Sequence, residues 1–307
     1  MGTDHMKLGL LTVPFASQTL TQVADWSAAN HFTTLEIACW PTAGGETRRY
    51  AGTSHIAVET LTPPLADDIV ADLTAKNITI SALGYYPNPL HADATHRDHV
   101  LTHLKKVITA AALLNVQTVN TFVGGDRALT LDQNWARAET IFPPILAHAK
   151  SHGVTLAFEN CPMIFSPDEW PGGHNIAYAP RIWRRILNAW QVGMNYDPSH
   201  LVWQMIDQAR FIREFGPRIV HVHAKDLMID RDGLYENGIM SLGMGWQIPR
   251  MPGLGEVNWA ETFAGLYRAG YDGPIIIEHE DRDFEGTDDK IKRGFLLARD
   301  VLRGFVK

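Results

Sequence analysis

Eight short strand-like runs recur along the chain, each followed after a turn by a longer segment of helical periodicity, and this alternation limits the folds open to it. The runs are Lys7–Val13, Thr34–Cys39, Ile78–Gly84, Thr118–Val123, Thr155–Glu159, Gly193–Asp197, Ile219–His223 and Pro274–Glu278. Helical patterns fall at Leu20–Ala29, Leu65–Lys76, His96–Leu114, Asn134–Lys150, Pro180–Ala189, Met205–Phe215, Trp259–Ala269 and Lys290–Phe305. Strict β–α alternation favours a parallel α/β sheet, and eight units are the number that closes a (β/α)8 barrel. An open doubly wound sheet built for dinucleotides would need G-x-G-x-x-G at the first βα turn. Val13-Pro14-Phe15-Ala16-Ser17 does not offer it, and Gly124-Gly125 reads as a tight turn.

The composition suits a folded, water-soluble chain of 307 residues, with 45% hydrophobic and 20% charged side chains. No linker rich in Pro, Ser or charge divides it, so a single domain over residues 6–307 is expected, with Met1–His5 an appended remnant ahead of a start at Met6. Twenty-seven basic against 34 acidic residues give a net charge of −7, which leaves no cationic excess for nucleic acid or an anionic membrane. The first apolar run, Leu8–Val13, is too short for a secretion signal, and none approaches the ~18 residues of a spanning helix. Cys39 and Cys161 are far apart in sequence, which argues against a disulfide scaffold and fits the cytoplasm.

Three connections are long: Trp40–Pro64, Asn160–Ala179 and Lys225–Asn258, and all three follow strands. In a barrel they would lie as long loops on the C-terminal face, where active sites are built. Trp40, Tyr50, Trp170, Tyr235 and Trp246 in these loops could wall a small-molecule pocket or simply pack the loops together. Arg48, Arg49, Arg127, Arg250 and His55 also fall in loops, and none is assigned a ligand.

Four consecutive strands end in a polar side chain: LAFEN at Glu159, MNYDPSH at Asp197, VHVHAKD at His223 and IIIEHED at Glu278. A carboxylate or imidazole ending a buried strand is costly unless paired, coordinated or used. Singly, each is also explained by a backbone amide or an arginine at the rim. Four on neighbouring strands point to a site for one divalent metal ion, Mn2+ first, with Mg2+, Co2+ and Zn2+ also suited to three carboxylates and an imidazole. His221, two residues before His223 and pointing the same way, reads as a buried histidine bonded to a neighbour. Lys225 either sets a cation beside a substrate oxygen or phosphate, or pairs with Asp226 or a rim carboxylate. His200 either reaches substrate or orients a carboxylate ligand.

The segments Glu159-Asn160-Cys161-Pro162, Tyr196-Asp197-Pro198-Ser199-His200-Leu201, His221-Val222-His223-Ala224-Lys225-Asp226, Pro252-Gly253-Leu254-Gly255-Glu256-Val257-Asn258-Trp259 and Tyr271-Asp272-Gly273-Pro274 to Glu278 resemble the sugar phosphate isomerase/epimerase family of xylose isomerase-like TIM barrels. The likeness runs from the first strand to the last helix, and its specific motifs lie in the second half. It implies a TIM barrel whose metal is held by Glu159, Asp197, His223 and Glu278, with His200 on substrate. Ketose 3-epimerases of this superfamily use the two metal-bound glutamates as opposed proton acceptor and donor, which would be Glu159 and Glu278. Those enzymes also grip the ketose with a glutamate and an arginine, but here the stretches read Cys161-Pro162-Met163-Ile164-Phe165 and Leu227-Met228-Ile229. That departure bears on the substrate rather than on the metal chemistry.

The expected reaction is isomerisation or epimerisation of a sugar, sugar phosphate or cyclic polyol ketone through a metal-stabilised enediolate, with His200 and Lys225 on substrate oxygens. The same intermediate could instead expel a β-substituent, which would make the enzyme a dehydratase or other lyase. An abasic-site endonuclease of this superfamily would need extra histidines for three zinc ions, whereas the third and fourth strands end in Gly84-Tyr85-Tyr86 and Phe122-Val123-Gly124. A non-catalytic sugar-binding barrel is a third alternative. The expected partner is thus a small carbohydrate, with no nucleic acid or membrane and with a homo-oligomer left open.

Overall fold

A computed structural model of the chain describes residues 6–42, 51–163 and 174–306. Residues 1–5, Arg48, Arg49, Tyr50, Ile164, Phe165 and Trp170 lie outside the described residues. Ten strands are numbered in chain order: β1 Lys7–Leu11, β2 Thr34–Ala38, β3 Thr79–Gly84, β4 Thr118–Thr121, β5 Thr155–Glu159, β6 Gly193–Tyr196, β7 Ile219–Ala224, β8 Asp226–Ile229, β9 Gln247–Arg250 and β10 Pro274–Ile277. Eight of them, β1–β7 and β10, pair in parallel as a closed barrel, so the expected (β/α)8 architecture is present. Closure is made by β1, which pairs with β10 (Leu8 opposite Ile275) on one side and β2 (Gly9 opposite Thr34) on the other.

The helices start where local chemistry favours it. Thr19 and Thr130 cap Leu20–Ala29 and Leu131–Ser151, each in a reciprocal capping box with a glutamine three residues on. Pro63 and Pro180 open Pro63–Ala75 and Pro180–Ala189, where a missing N–H costs nothing. The sixth helical pattern is shorter than its periodicity suggested. Met205 is left-handed at φ 56°, and the helix runs over Gln208–Phe215 with the Asp207 side chain as its cap. A separate short helix, Ser199–Trp203, precedes it and carries His200.

The connection after β7 is also more ordered than a loop. In it β8 and β9 form an antiparallel pair, Asp226 opposite Arg250, enclosing the short helix Arg231–Asn237. Trp203, Leu227, Ile229 and Trp246 make a small hydrophobic cluster beneath this insertion, separate from the main core. Of the aromatics considered as pocket walls, Trp40 is buried in packing, Trp246 is buried but also lines a cavity with Pro162, Tyr178 and Trp203, and Tyr235 is exposed. Arg250 is engaged by Asp281 and Asp283. Among the described residues, no helix is long and apolar enough to cross a membrane.

Candidate metal centre at the C-terminal rim

Register and strand direction carry the strand-end residues to one rim. Glu159 on β5 aligns with Asn195 on β6, Asn195 with His221 on β7, and His223 with Ile276 on β10. Side chains two residues apart share a face, so Asp197 follows Asn195 and Glu278 follows Ile276 towards the same rim. Asn160 fixes the β5 and β6 ends to each other: its Nδ2 donates to the Asp197 carbonyl (2.8 Å), and the Asp197 N–H donates to its Oδ1 (2.7 Å). Asn175 Nδ2 donates in turn to the Glu159 and Cys161 carbonyls at 3.2 and 2.7 Å.

The six residues singled out from the sequence come together. His223 Nδ1 lies 3.2 Å from Glu278 Oε2 and 3.6 Å from Glu159 Oε2. His200 Nε2 is 3.2 Å from Asp197 Oδ2 and 3.5 Å from Glu159 Oε1. Lys225 Nζ is 2.9 Å from Glu278 Oε2 and 3.1 Å from Asp197 Oδ2. Its partners are therefore rim carboxylates and not Asp226, whose oxygens are taken by the backbone N–H groups of Leu227, Gly253 and Val257 and by the Trp259 indole. His221 is buried as expected, with Nδ1 3.0 Å from Asn195 Oδ1 and Nε2 3.2 Å from Ser81 Oγ.

Two carboxylates at the centre were not legible from strand ends. Glu36 lies in the middle of β2, fully buried, with Oε2 2.6 Å from His223 Nε2, and its Oε1 accepts from the Tyr86 hydroxyl. A charged residue inside the apolar run TLEIA was the available signal. Glu280 lies two residues beyond Glu278, with Oε2 2.9 Å from Lys225 Nζ.

Burial and neighbouring charge push these groups apart in acidity. Burial, then the nearby Glu278, raises Glu159 well above the usual carboxylate range. Burial also raises Asp197, although Lys225 opposes it. For Glu278 burial acts upward but is overcome by Lys225 and His223, which hold it below its ordinary value. Lys225 stays charged because Glu278, Glu280 and Asp197 outweigh burial, and His223 is raised by Glu36 and Glu278 in the same way. Burial, reinforced by Lys225, keeps His200 neutral.

This donor set fits a divalent cation. Ligand atoms of Glu159, His223 and Glu278 all lie within 4.8 Å of one another. Asp197 Oδ2 and His223 Nδ1 are buried without a well-formed hydrogen bond and are turned towards the same place. Three carboxylates and one imidazole nitrogen are donors of intermediate hardness.

The sequence of uncharacterized protein YfiH of Bacillus subtilis is 27% identical over 304 residues, spanning 90% of this chain and 93% of its own. An inosose dehydratase of Geobacillus thermodenitrificans is 30% identical over 92 residues, 29% of this chain and 31% of that protein. Among solved structures, D-psicose 3-epimerase with D-fructose aligns at TM-score 0.69 and 16% identity, covering 98% of this chain and 99% of its own. The IOLI protein with a bound zinc atom aligns at TM-score 0.71 and 13% identity over 98% of both chains. At such identities the structural likeness speaks for the fold alone. The profile of the xylose isomerase-like TIM barrel matches residues 24–301, nearly the whole closed barrel with its rim, and the chain belongs to that family.

Proposed function

We propose that the protein is a divalent-metal-dependent isomerase or epimerase of a sugar, sugar phosphate or cyclic polyol ketone. The observation that carries this reading is the convergence of Glu159, Asp197, His223 and Glu278, from four consecutive barrel strands, on one buried point beside the Lys225 ammonium. These four would hold the cation, with Mn2+ preferred and Mg2+, Co2+ or Zn2+ acceptable to the same donors. When bound, it supplies Lewis acidity that polarises a substrate carbonyl and makes the neighbouring C–H proton easier to remove.

Glu159 and Glu278 act as the proton-transferring pair. One takes the proton from the carbon beside the carbonyl, giving an enediolate, and the other returns a proton to the opposite face or the adjacent carbon. His200, neutral and buried, and Lys225, charged and buried, hold substrate oxygens and favour the negative charge that develops. The substrate class takes its cue from the names of proteins this chain resembles, an inosose dehydratase in sequence over 92 residues and, in fold, a D-psicose 3-epimerase solved with D-fructose.

Incubating the metal-loaded protein in D2O with ketoses, inosose-type cyclic ketones and keto-glycosides tests the reaction. Deuterium in recovered or isomerised substrate is the expected result. Loss of water or of a glycosyl-linked group would move the enzyme to the lyases, and cleavage of abasic DNA would overturn the reading altogether.

A further inference from the structure

A ligating histidine has two ring nitrogens, and whichever one carries the proton is unavailable to a cation. The surroundings of the His223 ring are unequal on its two sides. Nδ1 faces the rim, 3.2 Å from Glu278 and 3.6 Å from Glu159, while Nε2 points back into the barrel, 2.6 Å from Glu36 Oε2. Glu36 comes from the far side of the barrel and is fully buried, so its carboxylate has few partners to choose from. Its second oxygen accepts the Tyr86 hydroxyl proton, so that this hydroxyl, 3.2 Å from His223 Nε2 and 3.3 Å from Asn195 Nδ2, is left only as an acceptor towards both. Gly84 on the neighbouring strand leaves the room this carboxylate needs, since a Cβ there would sit 2.6 Å from Glu36 Oε1.

From this arrangement we infer that Glu36 is a positioning residue: it accepts the Nε2–H of His223, fixes the tautomer, and leaves Nδ1 as the atom presented to the cation. The inference rests on the metal-site reading above. Its physical content is that a buried acceptor-only carboxylate makes Nε2 a donor, and that electron density pushed into the ring makes Nδ1 a better ligand. Tyr86 and the space over Gly84 hold the carboxylate in line, so the ring has no reason to flip. Glu36 touches neither cation nor substrate; although His221 Nε2 also lies 3.7 Å from its Oε2, its effect on the cation passes through the closer His223.

The test compares wild type, Glu36→Gln and Glu36→Leu by equilibrium titration with Mn2+ and Zn2+, alongside 15N NMR of the Zn2+-loaded proteins. Glu36→Gln keeps shape and a weaker acceptor, so it should remain folded by thermal denaturation. Its Mn2+ affinity should nevertheless fall roughly 10- to 100-fold, with a larger loss in Glu36→Leu. In zinc-loaded wild type, His223 should show a protonated Nε2 and a coordinated Nδ1. Unchanged affinity in Glu36→Gln, or zinc on Nε2, would overturn the role given to Glu36 while leaving the metal site standing. Failure of wild type to bind either ion stoichiometrically would overturn both.

Discussion

Lys225 Nζ lies 2.9 Å from Glu278 Oε2, and the same ammonium is 3.1 Å from Asp197 Oδ2, so one buried cation already binds the oxygens that two proposed metal ligands would offer. Charge balance explains why this is tolerable. Asp197, Glu278 and Glu280 could not be gathered in a buried site without a positive partner, and Lys225 is buried beside all three. A divalent ion at this place would share the carboxylates with Lys225, freeing part of the ammonium's capacity for a substrate oxygen.

Lys225→Met should therefore be sensitive to divalent ions in a way that wild type is not. Removing one partner of a buried ionic cluster typically costs about 3–5 kcal/mol. Without added metal, the variant should melt well below wild type. Mn2+ should then raise its Tm by more than it raises that of wild type, because the ion takes over the missing positive charge. Solvent exchange of deuterium into substrate should stay low even when stability is restored. Equal Tm values for the two metal-free proteins would show that the ammonium does not hold the cluster together.

Individual replacement of Glu159, Asp197, His223 and Glu278 should each lower bound metal after dialysis, measured by elemental analysis. Glu278→Gln is the most informative of the set, since it preserves volume and keeps one acceptor oxygen while removing the charge. Its metal content should fall at least tenfold at sub-stoichiometric free ion, an order-of-magnitude expectation for losing an anionic ligand. Unchanged metal content in variants at all four positions would sink the assignment. Treatment of wild type with a chelator should abolish proton exchange, and Mn2+ should restore it.

The barrel was legible because each of its strands is a short β-branched or apolar-rich run with its own turn, alternating with helical periodicity along the whole chain. The rim ligands were legible for the complementary reason: a charge at the end of such a run demands an explanation. Glu36 was not, because its cost is met by His223, 187 residues away in sequence. No local pattern reports a partner at that separation. The β8–β9 pair was missed on other grounds. Asp226–Ile229 begins with a charge, and Gln247–Arg250 contains Pro249, so neither looks like a strand until the two are side by side.

Asp226 is adjacent to Lys225 but has a different task, and Asp226→Asn separates stability from chemistry. Oδ1 accepts from the N–H groups of Leu227 and Val257, and Oδ2 from the N–H of Gly253 and the Trp259 indole. An asparagine can keep one oxygen in place, but its NH2 would then face two donors. The expected cost is about 1–3 kcal/mol for each donor left unmatched. Chemical denaturation should show that loss, while metal stoichiometry in the folded protein should remain that of wild type. A variant as stable as wild type would mean that the loop over Gly253–Trp259 is held by other contacts.

His221 gives the fold a dependence on pH that can be isolated by substitution. Burial lowers its pKa to about 4, against the attraction of Glu36, whereas an unfolded histidine titrates near 6.5. Between these values the unfolded chain binds more protons, so the contribution of His221 is fully present above pH 6.5 and is lost as pH falls towards 4. The loss can reach about 1.4 kcal/mol per pH unit for one proton. His221→Gln has no such titration; groups remote from it cancel in the comparison, while Glu36 and His223, whose charges act on His221, enter the difference through that same coupling. Urea midpoints at pH 7.5, 6.0 and 5.0 should show the advantage of wild type over His221→Gln shrinking with acidification. Parallel pH profiles would mean that His221 is not held as a neutral ring between Ser81 and Asn195.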